Sequence, residues 1–283
     1  MREVKNFYKE TPFNFTEDID FYVKNIQKNN SILEYQDLHN LLSKRDNFKR
    51  FKTIDSVIEF GCGTGWFTNS VSYYYGKQIC GVDFTDKALE TAKSVSNKLN
   101  LKNKFESSDI FDYESCEKYD LVVSLGVLHH TIDCEKAFRK ISKFVKPGGY
   151  LYVGLYHLYG RKPMLNFLKS HQRWYGEMSA YKLFKRMRKE NNSEQHSYSW
   201  FRDQVLHPHE THHSLLEVNE WLKKISFKLE TTSINKYKSL KNVSIKSLHN
   251  EEKKLEFYSF KENVENLSFN PGYFTICAKN ISE

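Results

Sequence analysis

Between residues 56 and 156, short apolar runs alternate with apolar stripes at helical spacing. The runs predict strands at residues 56–60, 78–83, 103–107, 119–125 and 149–156. Between them, Ala88, Leu89, Ala92, Val95 and Leu99 trace one face of a helix, and Ala137, Phe138, Ile141, Phe144 and Val145 trace another. Pro147-Gly148-Gly149 reads as the stop of that second helix. Strands that alternate with helices predict an α/β domain whose parallel sheet is covered by helices.

The flanks follow other patterns. Residues 1–50 read as mostly helical and aromatic, with Phe7, Tyr8, Phe13, Phe15, Phe21 and Tyr22 early and Leu38, Leu41 and Leu42 later. That is the composition of a lid or of a helical flank. After the fifth strand the chain makes a long excursion, residues 158–214, before Trp221-Leu222 and a strand-like stretch at 227–234. Residues 235–270 are polar and irregular in pattern, and 273–278 reads as a last strand.

Composition narrows the class. With 283 residues, 39% hydrophobic and 15% aromatic, the chain suits one large domain whose core leans on Phe, Tyr and Trp. Its five cysteines are odd in number and form no C-x-x-C pair, which argues against a disulfide framework and a zinc site and for a reducing compartment. Residues 1–15 have no apolar signal-peptide core, and the longest apolar run, 150–159, is too short to span a bilayer. A cytoplasmic protein with no membrane partner is expected. The net charge of +8 raises the expectation of an anionic partner.

The chemistry collects at the strand ends. Glu59-Phe60-Gly61-Cys62-Gly63-Thr64-Gly65 follows the apolar Val57-Ile58, and its alternate glycines let bare backbone turn closely around a ligand. Such a turn alone also fits a phosphate site or a dinucleotide site, and less well a tight turn with no ligand. Asp83 ends the second strand, where a carboxylate is placed to accept both hydroxyls of a ribose. Asp109 follows the third, placed for an adenine amino group with Ile110 against the ring. Ser124-Leu125-Gly126-Val127-Leu128-His129-His130-Thr131 ends the fourth, where Gly126 leaves space.

With Lys146-Pro147-Gly148-Gly149, these segments over residues 54–156 resemble the class I S-adenosylmethionine-dependent methyltransferases in order and spacing. The resemblance implies a Rossmann-like, seven-stranded, mostly parallel sheet with helices on both faces, closed by an antiparallel pair at 227–234 and 273–278. The implied organisation is a flank or lid (1–50), a cofactor-binding core (51–157), an inserted helical cap (158–214) and a C-terminal part completing the core (215–283). It implies S-adenosylmethionine as cofactor. Gly61, Gly63 and Gly65, with Cys62 in the same turn, would admit its methionine part, and Glu59 would fix the turn and orient the ammonium group. Asp83 would bind ribose, Asp109 and Ile110 adenine, Phe84 the adenine face, and Leu125 and Gly126 would line the crevice near the sulfonium. A dinucleotide dehydrogenase is disfavoured, because G-x-G-x-x-G would need glycine where Trp66 stands.

A methyl acceptor must meet the sulfonium in line and away from water, and a hydroxyl or amine must also lose a proton. Neutral histidine is suited to that task near pH 7, so His129, His130 and His157 are the candidate bases. Successive residues face apart, so only one of His129 and His130 is expected to meet substrate. Seven of the eleven histidines lie between His157 and His213. His209 and His213 have metal-ligand spacing only if helical, and Pro208 and the lack of a cysteine partner argue against a metal. Instead Arg202, Asp203, His207 and His209 are expected to fold over the crevice and, with Tyr156, contact the acceptor.

Residues 161–190 hold nine Lys/Arg against two acids. Arg161 follows the fifth strand closely enough to grip an anionic acceptor, whereas 182–189 reads as a solvated face. A cap favours a small, anionic acceptor methylated on O or N. The alternatives are an RNA or protein methyltransferase docking through its basic surface, less favoured because no RNA-binding module is present, and a binder of the cofactor without chemistry.

Overall fold

The computed structural model describes residues 4, 7–8, 12–13, 15–28, 54–189, 193–238, 240 and 243–282. Helix α1 (Ile19–Gln27) leads into the alternation β1 (Val57–Phe60), α2 (Trp66–Tyr75), β2 (Ile79–Asp83), α3 (Asp86–Lys98), β3 (Lys104–Ser107) and β4 (Tyr119–Leu125). A short 3₁₀ turn, Leu128–His130, precedes α4 (Cys134–Ser142) and β5 (Val145–Tyr156). Then come α5 (Leu158–Tyr175), α6 (Glu177–Arg188), α7 (Glu194–Phe201) and a π-helical turn, Arg202–Leu206. The chain closes with α8 (Leu215–Lys224), β6 (Phe227–Thr232), α9 (Ile245–Lys253), α10 (Leu255–Phe260) and β7 (Tyr273–Asn280).

The strands form one seven-stranded sheet in the order β3-β2-β1-β4-β5-β7-β6. β1 to β5 pair in parallel, and β7 runs antiparallel to both β5 and β6. The order reverses at β1, which has β2 on one side and β4 on the other, so the connections leave on opposite faces there and open a crevice at the carboxyl ends. The registers bring those ends level: Phe60 pairs with Val82, Asp83 with Ser107 and Leu125 with Gly154.

Helices cover both faces, as the apolar stripes require. On one face Phe138 and Ile141 of α4 and Val218, Trp221 and Leu222 of α8 pack over Val122 and Val153. On the other, Phe67 and Val71 of α2 pack over Val57, Ile79 and Leu121. Each such side chain, fully buried, stabilises by roughly 1.5–3 kcal/mol, so these seams outweigh the modest propensities of the helices themselves. Tyr22 and Ile26 of α1 pack on Val95 of α3, which fastens the N-terminal helix beside the glycine turn. A separate cluster of Met164, Leu168, Phe184 and Phe201 gives residues 158–206 a core of their own. Among the described residues, no helix is long and apolar enough to cross a membrane.

Three expectations change. Helix α4 ends at Ser142, and Val145 already pairs with Tyr119, so residues 146–149 form an irregularity within β5 rather than a helix stop. The polar stretch 235–270 contains α9 and α10, which bury only Leu248, Glu252 and Ser259 and so leave no apolar stripe to read. Of the expected N-terminal flank, α1 is present, while Leu38, Leu41 and Leu42 lie outside the described residues.

Candidate active site

The turn after β1 shows why three glycines stand there. Gly61 has φ +74°, and a Cβ on it would meet the Val127 side chain at 2.4 Å. Gly65 has φ +78° and caps α2, and its Cβ would strike Ala92 of α3 at 2.8 Å, so this glycine serves helix packing and does not line the crevice. Gly63 is different: its φ is +51° and its Cβ would meet nothing within 4 Å among the described residues. Gly126, across the crevice after β4, has the same open surroundings at φ +76°. The two positions therefore leave a space that a ligand, and not protein, is shaped to fill.

Around that space lies a crevice of about 520 Å³. Glu59, Gly61, Cys62, Gly63, Asp83 and Phe84 line it, as do Asp109, Ile110, Leu125 and Gly126. Glu59 is buried, and its Oε2 accepts from the Thr68 amide (3.1 Å) and hydroxyl (2.5 Å), which fixes the carboxylate at the start of α2. Burial pushes the Asp83 carboxyl up, against the amides that hold it: Gly63 N–H donates to Oδ2 (2.9 Å) and Thr85 N–H to Oδ1 (2.8 Å). A buried carboxylate therefore ties the glycine turn to the end of β2 while facing the crevice. Asp109 Oδ1 accepts from the Phe111 amide (2.9 Å), which steadies the turn after β3.

The histidines separate by their partners. His130 lines the crevice, and its Nδ1 lies 3.1 Å from the His209 carbonyl oxygen. Burial lowers its pKa to about 4. Among the described residues its Nε2 has no hydrogen-bond partner, and it sits 4.0 Å from Asp203 Oδ1. His129 points into the interior: it is fully buried, stacks on Tyr156 with centroids 3.9 Å apart, and accepts from the Tyr156 amide at Nδ1 (3.3 Å). Burial lowers its pKa well below the usual value, and it does not line the crevice. His157 caps α5, accepting from Gly160 N–H at Nδ1 (3.1 Å), so its Nε2 carries the proton and donates to the buried Glu252 (3.0 Å). Both ring nitrogens are engaged, and no lone pair is left for a substrate proton.

The histidine-rich loop folds against the strand ends and is not helical at 209–213. Thr211 N–H donates to the His129 carbonyl (2.8 Å), and His213 N–H to the Tyr156 carbonyl (2.9 Å). From residues 202–213 only Asp203 reaches the crevice. The Tyr8 hydroxyl donates to its Oδ1 (2.6 Å) and Gln204 Nε2 to its Oδ2 (2.9 Å), while burial raises its pKa. His207 stacks behind His130, centroids 3.8 Å apart, and His209 contributes its carbonyl rather than its ring. Arg202 lies over the Phe7 ring at 4.4 Å.

Arg161 does not face the crevice. Its guanidinium stacks on Tyr156 at 3.7 Å and is fully buried. Its N–H groups go to both Glu210 oxygens (3.0 and 2.9 Å), to Gln204 Oε1 (2.9 Å) and carbonyl (2.8 Å), and to the Pro271 carbonyl (3.2 Å). All five donors are thereby satisfied within the protein, and Tyr156 is sealed behind them. Conversely, Tyr8, Phe13, Phe21, Trp66, Arg188 and Trp200 line the crevice without having been singled out as site residues. The aromatic density of the N-terminal flank was the visible signal for the first three. Arg188 sat inside the basic run read as solvated.

This sheet, with a glycine turn and two acids at its carboxyl rim, is the class I methyltransferase fold. The methyltransferase domain family matches residues 52–228, more than half of the 283 residues, and the chain belongs to it. The chain is 29% identical over 149 residues to the ubiquinone biosynthesis O-methyltransferase of Nitrosospira multiformis, covering 48% of this chain and 57% of that protein. It is 29% identical over 125 residues to the Vibrio atlanticus protein of the same name, covering 42% and 52%. The matches thus span a little over half the length of these relatives. In three dimensions it is similar to PKMT2 from Rickettsia typhi, with a TM-score of 0.58 at 18% identity over 80% of this chain and 48% of that one. That likeness is one of fold.

Proposed function

We propose that the protein is an S-adenosylmethionine-dependent methyltransferase that methylates an oxygen of a small acceptor. The observation that carries this reading is the buried Asp83 carboxylate, bound to the Gly63 amide beside a space that the bare Gly63 and Gly126 leave open. The names of the two O-methyltransferase relatives favour oxygen over nitrogen.

The residues present fit that cofactor. Asp83 would take the ribose hydroxyls, and Asp109 the adenine amino group, with Phe84 and Ile110 against the ring. Glu59 offers negative charge to the ammonium group, and Gly61, Cys62 and Gly63 form the wall beside the methionine part, with Leu125 and Gly126 opposite. When bound, S-adenosylmethionine supplies a methyl group on a positively charged sulfur, already activated for transfer. The protein's share is to orient the acceptor, exclude water and receive one proton. His130 holds a lone pair at Nε2 on the crevice wall and would take the acceptor's hydroxyl proton there. Tyr8, Phe13 and Phe21 would shield that exchange from solvent. Gly65, His129, His157, Tyr156, Arg161 and His207 act behind the wall, as packing and hydrogen-bonding supports.

Five cysteines, odd in number and with no C-x-x-C pair, support a reducing compartment such as the cytoplasm. Equilibrium dialysis tests the cofactor. S-adenosylhomocysteine is expected to bind saturably at one site per chain and NAD not to bind, and the reverse preference would reject the proposal.

A further inference from the structure

Helices α5 and α6 form a hairpin whose inner seam is already closed, because Leu168 of α5 packs in one cluster with Ala180 and Phe184 of α6. The turn between them bears apolar side chains that this seam does not use. Trp174 is 78% exposed, Tyr175 70% and Met178 59%, grouped around Gly176, whose φ of +84° lets the chain reverse. None of the three lines the crevice. Large apolar side chains gathered at an exposed tip mark a contact surface.

Charge narrows what that contact is. Between residues 162 and 189 the chain has eight Lys or Arg and one acid, Glu177. The Glu177 carboxylate accepts from the Tyr198 hydroxyl (2.7 Å), which binds it to α7. Lys169 and Arg173 on α5 and Lys182 on α6 are exposed behind the tip. At about 1.5 Å per residue, Lys169 stands ~7.5 Å behind Trp174 along α5, and Lys182 ~6 Å behind Met178 along α6. Trp and Tyr favour the boundary between hydrocarbon and headgroup, where an apolar face enters by about 5–10 Å. A tip inserted that far brings the basic side chains level with lipid phosphates, and their long stems take up the remaining difference. A second copy of the chain fits less well. Two such tips face to face would oppose like charges, and two rings of roughly 150–250 Å² each with one methionine fall short of the ~800 Å² per partner of a stable protein contact.

We propose that the tip between α5 and α6 docks on an anionic lipid surface, with Trp174, Tyr175 and Met178 entering the interface and Lys169, Arg173 and Lys182 meeting the lipid phosphates. The contact is peripheral, in keeping with the lack of a membrane-crossing helix among the described residues. It does not depend on the cofactor assignment. Helix α6 joins the two places, since it runs from Glu177 at the tip to Arg188 on the crevice wall, about 16 Å away.

Sedimentation of the full chain with lipid vesicles tests it. Vesicles of phosphatidylcholine with about one-third phosphatidylglycerol should bind the protein at least ~10-fold tighter than pure phosphatidylcholine, and the preference should weaken as salt rises. Trp174→Ser, Tyr175→Ser and Met178→Ser together should weaken binding to the anionic vesicles at least ~10-fold. Lys169→Gln, Arg173→Gln and Lys182→Gln together should abolish the preference for them. All six positions are exposed, so both triple variants should keep the thermal midpoint of the unmodified protein within about 3 °C. Brominated phosphatidylcholine in the anionic vesicles should quench tryptophan fluorescence, and Trp174→Phe should still bind but lose that quenching. No sedimentation with anionic vesicles, equal binding by the serine variant, or undiminished quenching in Trp174→Phe would each overturn the inference. A dimer that the serine variant loses, with no vesicle binding, would assign the tip to a second copy and overturn it as well.

Discussion

The Nδ1 atom of His130 lies 3.1 Å from the carbonyl oxygen of His209. A carbonyl only accepts, so the proton belongs on Nδ1 and the lone pair on Nε2, at the crevice wall. The histidine-rich loop thus sets the tautomer of a strand-end histidine 79 residues away.

A pH profile follows from this arrangement. Burial lowers the His130 pKa from 6.5 to about 4, so the neutral, basic form persists until the pH falls through about 4. Methyl transfer is expected to show no acid limb near the ordinary histidine value. His130→Ala should lower kcat by roughly 10²–10⁴ and leave cofactor affinity nearly unchanged. Initial rates measured from about pH 5 to pH 8 check the profile, and a slope-one acid limb centred near 6.5 would place the base elsewhere.

His157 and Glu252 carry stability instead. Burial alone would raise the Glu252 carboxyl, but donations from His157, His249 and the Leu215 amide outweigh it and leave the pKa lowered. A carboxylate with a depressed folded pKa stabilises above its unfolded value, 4.5, and that stability is lost as the pH falls through the folded value. Glu252→Ala should cost about 3 kcal/mol at pH 7, because it strands a buried imidazole and a helix-start amide. Denaturant titrations at several pH values check this: the gap between the two proteins should narrow toward acid pH, and a pH-independent gap would count against the network.

The parallel core and its rim were legible because a residue following a buried strand has little freedom of place. Asp83, Asp109 and Gly126 fall at strand ends, and strand ends meet. The glycine turn was legible as a turn, but the separate tasks of Gly63 and Gly65 were not, since Ala92, which Gly65 must clear, lies on another helix. Arg161 was legible as near the crevice, yet Glu210, 49 residues on, turns its guanidinium inward. Tyr8, Arg188 and Trp200 converge only through the packing of the cap and flank, which no local pattern encodes. α9 and α10 escaped for a simpler reason: they bury too few apolar side chains to show a period.

Gly65 and Gly126 should therefore fail differently. Gly65→Ala adds a Cβ 2.8 Å from that of Ala92 at φ +78°, and should destabilise the fold by about 2–3 kcal/mol. Gly126→Ala meets no atom of the described residues within 4 Å, and at φ +76° should cost only about 1–2 kcal/mol of stability. Its methyl group enters the space proposed for the cofactor, so S-adenosylhomocysteine affinity should fall at least ~10-fold. Thermal unfolding with and without ligand separates the two, and equal ligand affinities in both variants would contradict the assignment.

Asp83 offers the most direct test of the cofactor crevice. Calorimetric titration of S-adenosylmethionine into the unmodified protein should show one site, and Asp83→Ala should weaken it by at least ~1 kcal/mol, about fivefold or more, through the lost ribose hydrogen bonds. Unchanged affinity in a folded Asp83→Ala protein would contradict the placement of the cofactor.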